Sequence, residues 1–393
     1  MTLRAPRTRP WTSTDAMPTD ALRIDTLLAQ AGCNIDPTTG ALVEPPYLTT
    51  TFEREPDGSY PRGYTYTRSE NPTRHRFEET LARIEEGYEA AAFASGTAAT
   101  AAVFQALQPG DHVILADDAY YGTRRALGTV FREWGLSYDE VDMTAPENVE
   151  AAARPETRLV WAESPSNPRL KITDLEAVAG AAHALGAFLL VDNTFATPVL
   201  QRPLSLGADL VLHSVTKYLS GHTDVMGGAV VAREESHFFE KIRHVQTACG
   251  AIFDPFSAWL ALRGMRTLAA RIRMQCATAR QVAAYLNNHP RVERTHYPGL
   301  LDHPGHRIAQ HQMADFGGML SFEVTGGREA AMEVAARVHV FRRATSLGGT
   351  ESLIEHRASV EPPPSPAPEG LLRLSIGLEH VDDLVSDLSE ALG

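Results

Sequence analysis

The sequence predicts an α/β fold, with a large domain built on a mostly parallel sheet and a smaller α+β domain at the C-terminus. Three observations carry this prediction. Between residues 88 and 233 short apolar runs alternate with helical patterns, the rhythm of strands joined by crossover helices. Around residues 250–290 that rhythm gives way to one long helical stretch, and strand patterns then resume. The chain has 393 residues, more than one compact core usually organises, so two domains are expected.

Taken in order, residues 1–20 (MTLRAPRTRPWTSTDAMPTD) hold Arg, Thr and Pro and lack an apolar run. A disordered tail is expected there, not a secretory signal. Residues 21–70 combine a short helical pattern, ALRIDTLLAQAG, with an extended segment rich in Thr, Tyr and Pro. Such an arm has too little apolar surface for its own core and is expected to lie against a neighbouring subunit.

Residues 71–256 read as the large domain. PTRHRFEETLARIEEG is helical, YEAAAFA is an apolar run and SGTAATAAVFQAL is helical again. DHVILADD, RLVWAES, LGAFLLVDN, ADLVLHSV and GGAVVAR read as strands, with DLEAVAGAAHALG a helix among them. Residues 257–393 read as the small domain. The long helical region PFSAWLALRGMRTLAARIRMQCATARQVAAYLNN leads into it, and GGMLSFEV and GLLRLSIG are its clearest strands. EPPPSPAPEG, residues 361–370, reads as an exposed Pro-rich loop.

Composition narrows the function. Lys and Arg number 36 against 49 Asp and Glu, a net charge of −13, which argues against a nucleic-acid partner. One buried phosphate site is still allowed, because backbone dipoles can build it. No run approaches the roughly 20 apolar residues of a membrane span. Cys33, Cys249 and Cys276 form no CxxC pair, which fits a reducing cytoplasm and disfavours a disulfide frame or a zinc site.

Ligands of open α/β sheets bind beyond the C-terminal strand ends, so the residues just past each strand matter most. After YEAAAFA, Ser95-Gly96-Thr97 opens a helix, where free N–H groups favour an anion such as phosphate; an ordinary strand-to-helix turn would look the same. After LGAFLLV stands Asp192, a strand-end carboxylate that could equally be a helix cap. After ADLVL come His213, Ser214, Val215, Thr216 and Lys217. A lysine on an apolar strand is seldom buried without a task, although a surface lysine at a strand end is the bland alternative. Together the three features supply a phosphate cradle, an acid for a pyridinium nitrogen and an amine for a Schiff base. Pyridoxal phosphate (PLP) requires that set. Neither G-x-G-x-x-G nor GxxxxGK[ST] occurs, which removes two competing phosphate sites.

The run HSVTKYLSGHTDVMGG (213–228) resembles the lysine motif of the Cys/Met-metabolism PLP family, which includes the cystathionine and methionine γ-lyases and cystathionine γ-synthase. The likeness spans nearly the whole chain: YTRSENPT, ASGTAA, ESPSNP, VDNTF, LRGMRTL, YPGLLDHPGH, FGGMLSFEV, SLGGTESLIEH and LLRLSIGLE follow in order. It implies the type I, aspartate-aminotransferase-like fold and a homotetramer built as a dimer of dimers. By the resemblance, Lys217 forms the Schiff base and shuttles protons, and Asp192 pairs with the pyridine nitrogen. Gly96, Thr97, Ser214 and Thr216 hold the phosphate, joined by Tyr66 and Arg68 of a neighbouring subunit. Tyr120 stacks on the ring and assists proton transfer, while Asn167 and Glu163 lie nearby. Ser346 and Arg373 clamp the carboxylate of a sulfur amino-acid substrate. The implied activity is γ-elimination of cystathionine, with methionine γ-elimination or γ-replacement on an O-acylhomoserine as alternatives.

Departures from the family pattern bear on specificity. Members that act on cystathionine commonly carry a glutamate just before the SLGG serine, where this chain has Thr345, the candidate for the distal end of the substrate. Tyr120 is followed by Tyr121-Gly122-Thr123, with no thiol, where methionine γ-lyases carry Tyr-Gly-Cys-Thr. The usual long stretch after SLIEHPA is replaced by HRASVEPPPSPAPEG. His303, His306 and His311 have spacings that could suit a metal but lack a carboxylate or cysteine partner, so no metal is expected. His213 and His222 are expected to bond the strand end. Trp134, Trp161, Trp259, Met226 and Met265 are expected to serve packing.

Overall fold

The computed structural model describes residues 22–33, 35–36, 38–361 and 367–393. The expected tail, 1–20, and the middle of the Pro-rich loop, 362–366, lie outside the described residues. Seven strands make the large sheet: β1 (Glu89–Phe93), β2 (His112–Ala116), β3 (Ser137–Val141), β4 (Thr157–Glu163), β5 (Phe188–Asp192), β6 (Leu210–His213) and β7 (Gly228–Ala232). Their order is β1-β7-β6-β5-β4-β2-β3. β3, β2, β4, β5 and β6 run parallel, and β7 alone is antiparallel to its neighbours β6 and β1. No helix separates β6 from β7, so the chain turns straight back after the lysine segment and enters the sheet reversed. The C-terminal ends of β1, β2, β4, β5 and β6 therefore meet the first residue of β7 along one edge.

The inner strands are legible in the sequence because both of their faces are covered; β2 and β7 are buried along their whole length. β3, SYDEV, lacks an apolar run and is not among the expected strands; its half-exposed edge position suits its acidic residues. The long helical region is two helices, Pro255–Met265 and Leu268–Asn287, parted at Arg266-Thr267. Gly264 in the first has a packing reason: a Cβ there would stand 2.0 Å from the Ser220 carbonyl oxygen. Arg271 ties the same region by donating to the carbonyls of Tyr218 (3.0 Å) and Gly264 (2.9 Å).

A second sheet has the order β10-β11-β12-β9-β8, with β8 (Val292–His296), β9 (Met319–Val324), β10 (Arg342–Arg343), β11 (Leu353–His356) and β12 (Leu371–Ser375). All its pairings are antiparallel except β10 with β11. Two apolar clusters fill the molecule, and helix Leu268–Asn287 serves both. It gives Leu268, Ile272 and Cys276 to the larger cluster and Val282, Ala283 and Leu286 to the smaller.

Trp161 and Met265 are fully buried, and Trp161 lies 5.1 Å from the Phe104 ring. The Trp259 indole donates to the Glu44 carbonyl at 3.2 Å. Two packing expectations fail. Met226 is 66% and Trp134 50% exposed. Met226 belongs to the return loop before β7, and Trp134 to a one-turn helix with no buried residue, so neither reaches the core. Among the described residues no helix is long and apolar enough to cross a membrane.

Candidate active site

Asp192 ends β5 and Glu163 ends β4, directly opposite each other in the parallel register. Both are buried. Asp192 accepts the Thr194 N–H at 3.0 Å, and Glu163 accepts the Tyr120 N–H at 2.7 Å. Burial, reinforced by the neighbouring Asp192 charge, pushes the Glu163 carboxyl well above its ordinary range. Burial also raises Asp192, while the Thr194 bonds and His213 pull it back. Burial and mutual repulsion therefore disfavour two negative charges here, and more strongly at Glu163 than at Asp192. A cationic ring nitrogen beside Asp192 would offset its desolvation.

Ser95 caps helix Gly96–Ala106 by accepting the Ala98 N–H at 3.0 Å, so the first turn presents free backbone N–H groups. Two glycines let the backbone pack closely here, tightly at Gly96 and with no room for a side chain at Gly228. A Cβ on Gly96 would lie 3.1 Å from Ser214 Oγ, and one on Gly228 would lie 2.3 Å from the Ser95 carbonyl oxygen. The Ser214 N–H donates to Thr194 Oγ1 at 2.9 Å. Thr216 Oγ1 donates to the Gly227 carbonyl (3.2 Å) and accepts the Gly227 N–H (3.0 Å), which pins the return loop.

Lys217 Nζ donates to Ser346 Oγ at 2.8 Å. Burial first, and the Arg373 charge second, bring the amine down to about 8. Ser346 has φ +85°, a left-handed backbone uncommon for serine. Its carbonyl receives Arg373 Nη2 at 3.1 Å, and Arg373 Nη1 donates to Asn167 Oδ1 at 2.8 Å. Lys217, Ser346, Arg373 and Asn167 thus form one connected group. Asn167 is itself fixed through its N–H to the Asp118 carbonyl, 3.2 Å.

Other expected residues sit apart. Tyr120 is 41% exposed at the head of helix Tyr121–Ala126, with its backbone held by Glu163. Its ring lies over Gly122, where a Cβ would stand 2.3 Å from it. Tyr66 and Arg68 lie on the arm, with the Arg68 guanidinium 5.8 Å from the Tyr66 ring centroid and bonded to the Thr247 carbonyl. Thr345 is exposed, one residue before Ser346. His213 bonds the buried Glu85 at 2.5 Å, and His222 bonds the Ser220 carbonyl at 2.8 Å. His303 accepts the Gly305 N–H at 3.1 Å, and burial lowers it to about 4. His306 stacks on Phe316 with centroids 5.2 Å apart, and His311 is exposed.

Sequence reasoning missed Glu355 and Arg357. Glu355 lies opposite Arg373 in the β11–β12 register and meets it at 2.5 Å. Arg357 meets the same carboxylate at 3.1 Å. The available signal was the pair of opposite charges at positions 355 and 357, directly after the apolar Leu353-Ile354 of SLIEHRA. A separate cleft of about 240 Å³ lies between the arm and helix Pro255–Met265, bordered by Val43, Trp259 and Leu262, away from Lys217.

A lysine at a strand end, a strand-end carboxylate and a helix-start cradle on an α/β sheet define a PLP enzyme, and the donor set fits that cofactor. The chain belongs to the Cys/Met metabolism PLP-dependent enzyme family, which matches residues 25–393. It is 47% identical over 369 residues to a cystathionine gamma-synthase of Mycobacterium tuberculosis, covering 92% of this chain and 95% of that protein. It is 45% identical over 378 residues to a cystathionine beta-lyase of Coxiella burnetii, covering 94% and 97%. The solved structure of metB from Corynebacterium glutamicum superposes with a TM-score of 0.93 at 43% identity, covering 96% of this chain and 99% of that one.

Proposed function

We propose that this enzyme breaks the Cγ–S bond of cystathionine, giving cysteine, 2-oxobutanoate and ammonia. The observation that carries the reading is the Lys217 amine, lowered to about 8, in one bonded group with the carboxylate-binding fork of Arg373. That arrangement sets a base beside the Cα of an amino acid held by its carboxylate. When bound, the cofactor supplies an electron sink for negative charge developing at Cα. Gly96, Thr97, Ser214 and Thr216 hold its phosphate, and Asp192 holds its ring nitrogen protonated. Tyr66 and Arg68 of a second copy reach the same phosphate in a homotetramer. Exposed Leu42, Val43, Tyr47 and Leu48 on the arm support burial against another subunit.

Arg373 and Asn167 orient the substrate, with Ser346 fixing the lysine. Lys217 Nζ would take the proton from Cα, hand it to the electron sink that the bound cofactor supplies and, neutral again, take one from Cβ. The Tyr120 hydroxyl gives a proton to sulfur as the Cγ–S bond breaks, so the thiol leaves neutral. Water then hydrolyses the remaining four-carbon enamine to 2-oxobutanoate and ammonia.

A second reading is γ-replacement, in which cysteine adds at Cγ of an activated homoserine; the 47% identity to the M. tuberculosis gamma-synthase favours it. Both reactions share the proton transfers and differ in whether water or a thiol ends the sequence. The deciding assay incubates purified holoenzyme separately with cystathionine, methionine, and O-acylhomoserine plus cysteine. Cystathionine should yield 2-oxobutanoate and cysteine. Pyruvate from cystathionine would place the cleavage at Cβ. Turnover only with the acylhomoserine and cysteine would establish replacement, and turnover of methionine alone a methionine γ-lyase.

A further inference from the structure

Around Arg373 the fold buries two guanidinium groups and two carboxylates: Arg373 is 3% exposed, and Arg357, Glu355 and Glu361 are each 5% exposed. The four charges cancel. Glu355 Oε2 bridges Arg373 Nη2 (2.5 Å) and Arg357 Nη1 (3.1 Å), and Arg357 Nη2 reaches Glu361 Oε1 at 2.9 Å. Buried ions are tolerated only when paired, and here two atoms stay unpartnered among the described residues: Glu355 Oε1 and Arg357 Nε.

The fork of Arg373 is therefore already occupied. Asn167 Oδ1 takes Nη1, and Glu355 with the Ser346 carbonyl takes Nη2. An arriving α-carboxylate needs that fork bidentate. Asn167 and the Ser346 carbonyl are neutral and can share it, whereas Glu355 carries the charge of the ligand and repels it. Glu355 also has somewhere to go. Arg357 Nη1 already holds its Oε2, so the carboxylate keeps a buried cation when Arg373 releases it, and its unpartnered Oε1 is free to turn toward the same guanidinium.

We propose that Glu355 passes from Arg373 to Arg357 when the substrate α-carboxylate docks, making Arg357 a positioning residue that sets affinity for that carboxylate. Glu355 is a resident stand-in for the ligand, and Arg357 is its parking place. The inference rests on Arg373 being the carboxylate anchor. Once a carboxylate binds, the cluster gains one negative charge, which the nearby Lys217 or the substrate ammonium offsets.

The test titrates holoenzyme with L-2-aminobutanoate and, separately, with butylamine, following the absorbance of the bound cofactor. Both probes bring an amine, and only the first brings a carboxylate. Glu355→Gln keeps the shape and removes the competing charge, so 2-aminobutanoate should bind about fivefold tighter. Arg357→Met leaves Glu355 wholly on Arg373, so 2-aminobutanoate should bind at least tenfold more weakly, about 1.4 kcal/mol. Both side chains also face Lys217, and any change through that amine is shared by butylamine, so the ratio of the two affinities carries the result. The exchange is overturned if Glu355→Gln weakens 2-aminobutanoate relative to butylamine or leaves that ratio unchanged, or if Arg357→Met weakens both probes alike. Should Arg357→Met fail to fold, Glu355→Gln decides alone. Arg373→Lys tests the anchor separately: it weakens 2-aminobutanoate if Arg373 binds the carboxylate. No change there would remove the anchor itself.

Discussion

Replacing Arg373 with methionine should slow the capture of PLP by the apoenzyme at neutral pH, by an amount set by the Lys217 environment. Only a neutral amine attacks the cofactor aldehyde. Lys217 sits at about 8 where an ordinary lysine is at 10.5, because it is buried and faces the Arg373 and Arg357 charges. At pH 7.5 about a quarter of the amine is then neutral, against about one part in a thousand for an ordinary lysine. The sign is that of a cation whose protonated form is disfavoured, so capture should rise with pH and level off above about 8. Removing Arg373 removes a repelling cation and leaves Glu355 closer to unopposed; both changes favour the protonated amine. A rise of about one unit, on the order of 1.4 kcal/mol, is reasonable for one partly buried charge. The neutral fraction at pH 7.5 then falls about eightfold, while above pH 10 the two proteins converge. Rapid mixing of apoenzyme with PLP, read as growth of the visible cofactor band, measures this directly. A wild-type rate that climbs tenfold per pH unit through pH 9.5 would refute the lowered amine. An Arg373→Met protein matching wild type at pH 7.5 would refute the electrostatic cause.

Two sites at the sheet edge test the remaining geometry. Gly228→Ala puts a methyl 2.3 Å from the Ser95 carbonyl oxygen and 2.6 Å from Gly96 Cα, both backbone, so the cradle must open. We expect a loss of about 1–3 kcal/mol in thermal unfolding and faster loss of cofactor on dialysis; unchanged retention would mean the turn is not the phosphate cradle. Glu163→Gln should keep kcat within about threefold, because an amide can accept the same Tyr120 N–H and burial beside Asp192 already favours the uncharged form of Glu163. Asp192→Asn should lose about 100-fold or more, since it removes the charge proposed to face the ring nitrogen. Equal losses in the two variants would show that Glu163 is ionised.

The part of the structure that could be read in the chain divides by whether a residue's neighbours are local. β2, β5, β6 and β7 are covered on both faces, so apolar runs announce them, and position just past a strand end singles out Gly96, Asp192 and Lys217. The exposed Met226 shows the converse, because an apolar side chain in a return loop has no periodicity to place it. β3 and β8 carry charged residues on exposed positions and resemble loops until a partner strand pairs with them. β11 is the instructive case. Glu355 and Arg357 alternate along LIEHR as they would on a solvated edge, yet both are buried. Their burial depends on Arg373, 18 positions beyond Glu355 and opposite it only in the antiparallel register. Charge buried by pairing across a sheet leaves no local mark, since each member alone would be expected in water. On the proposed reading this pairing surrounds the carboxylate anchor, so the feature hardest to read from the chain is the one proposed to govern access to it.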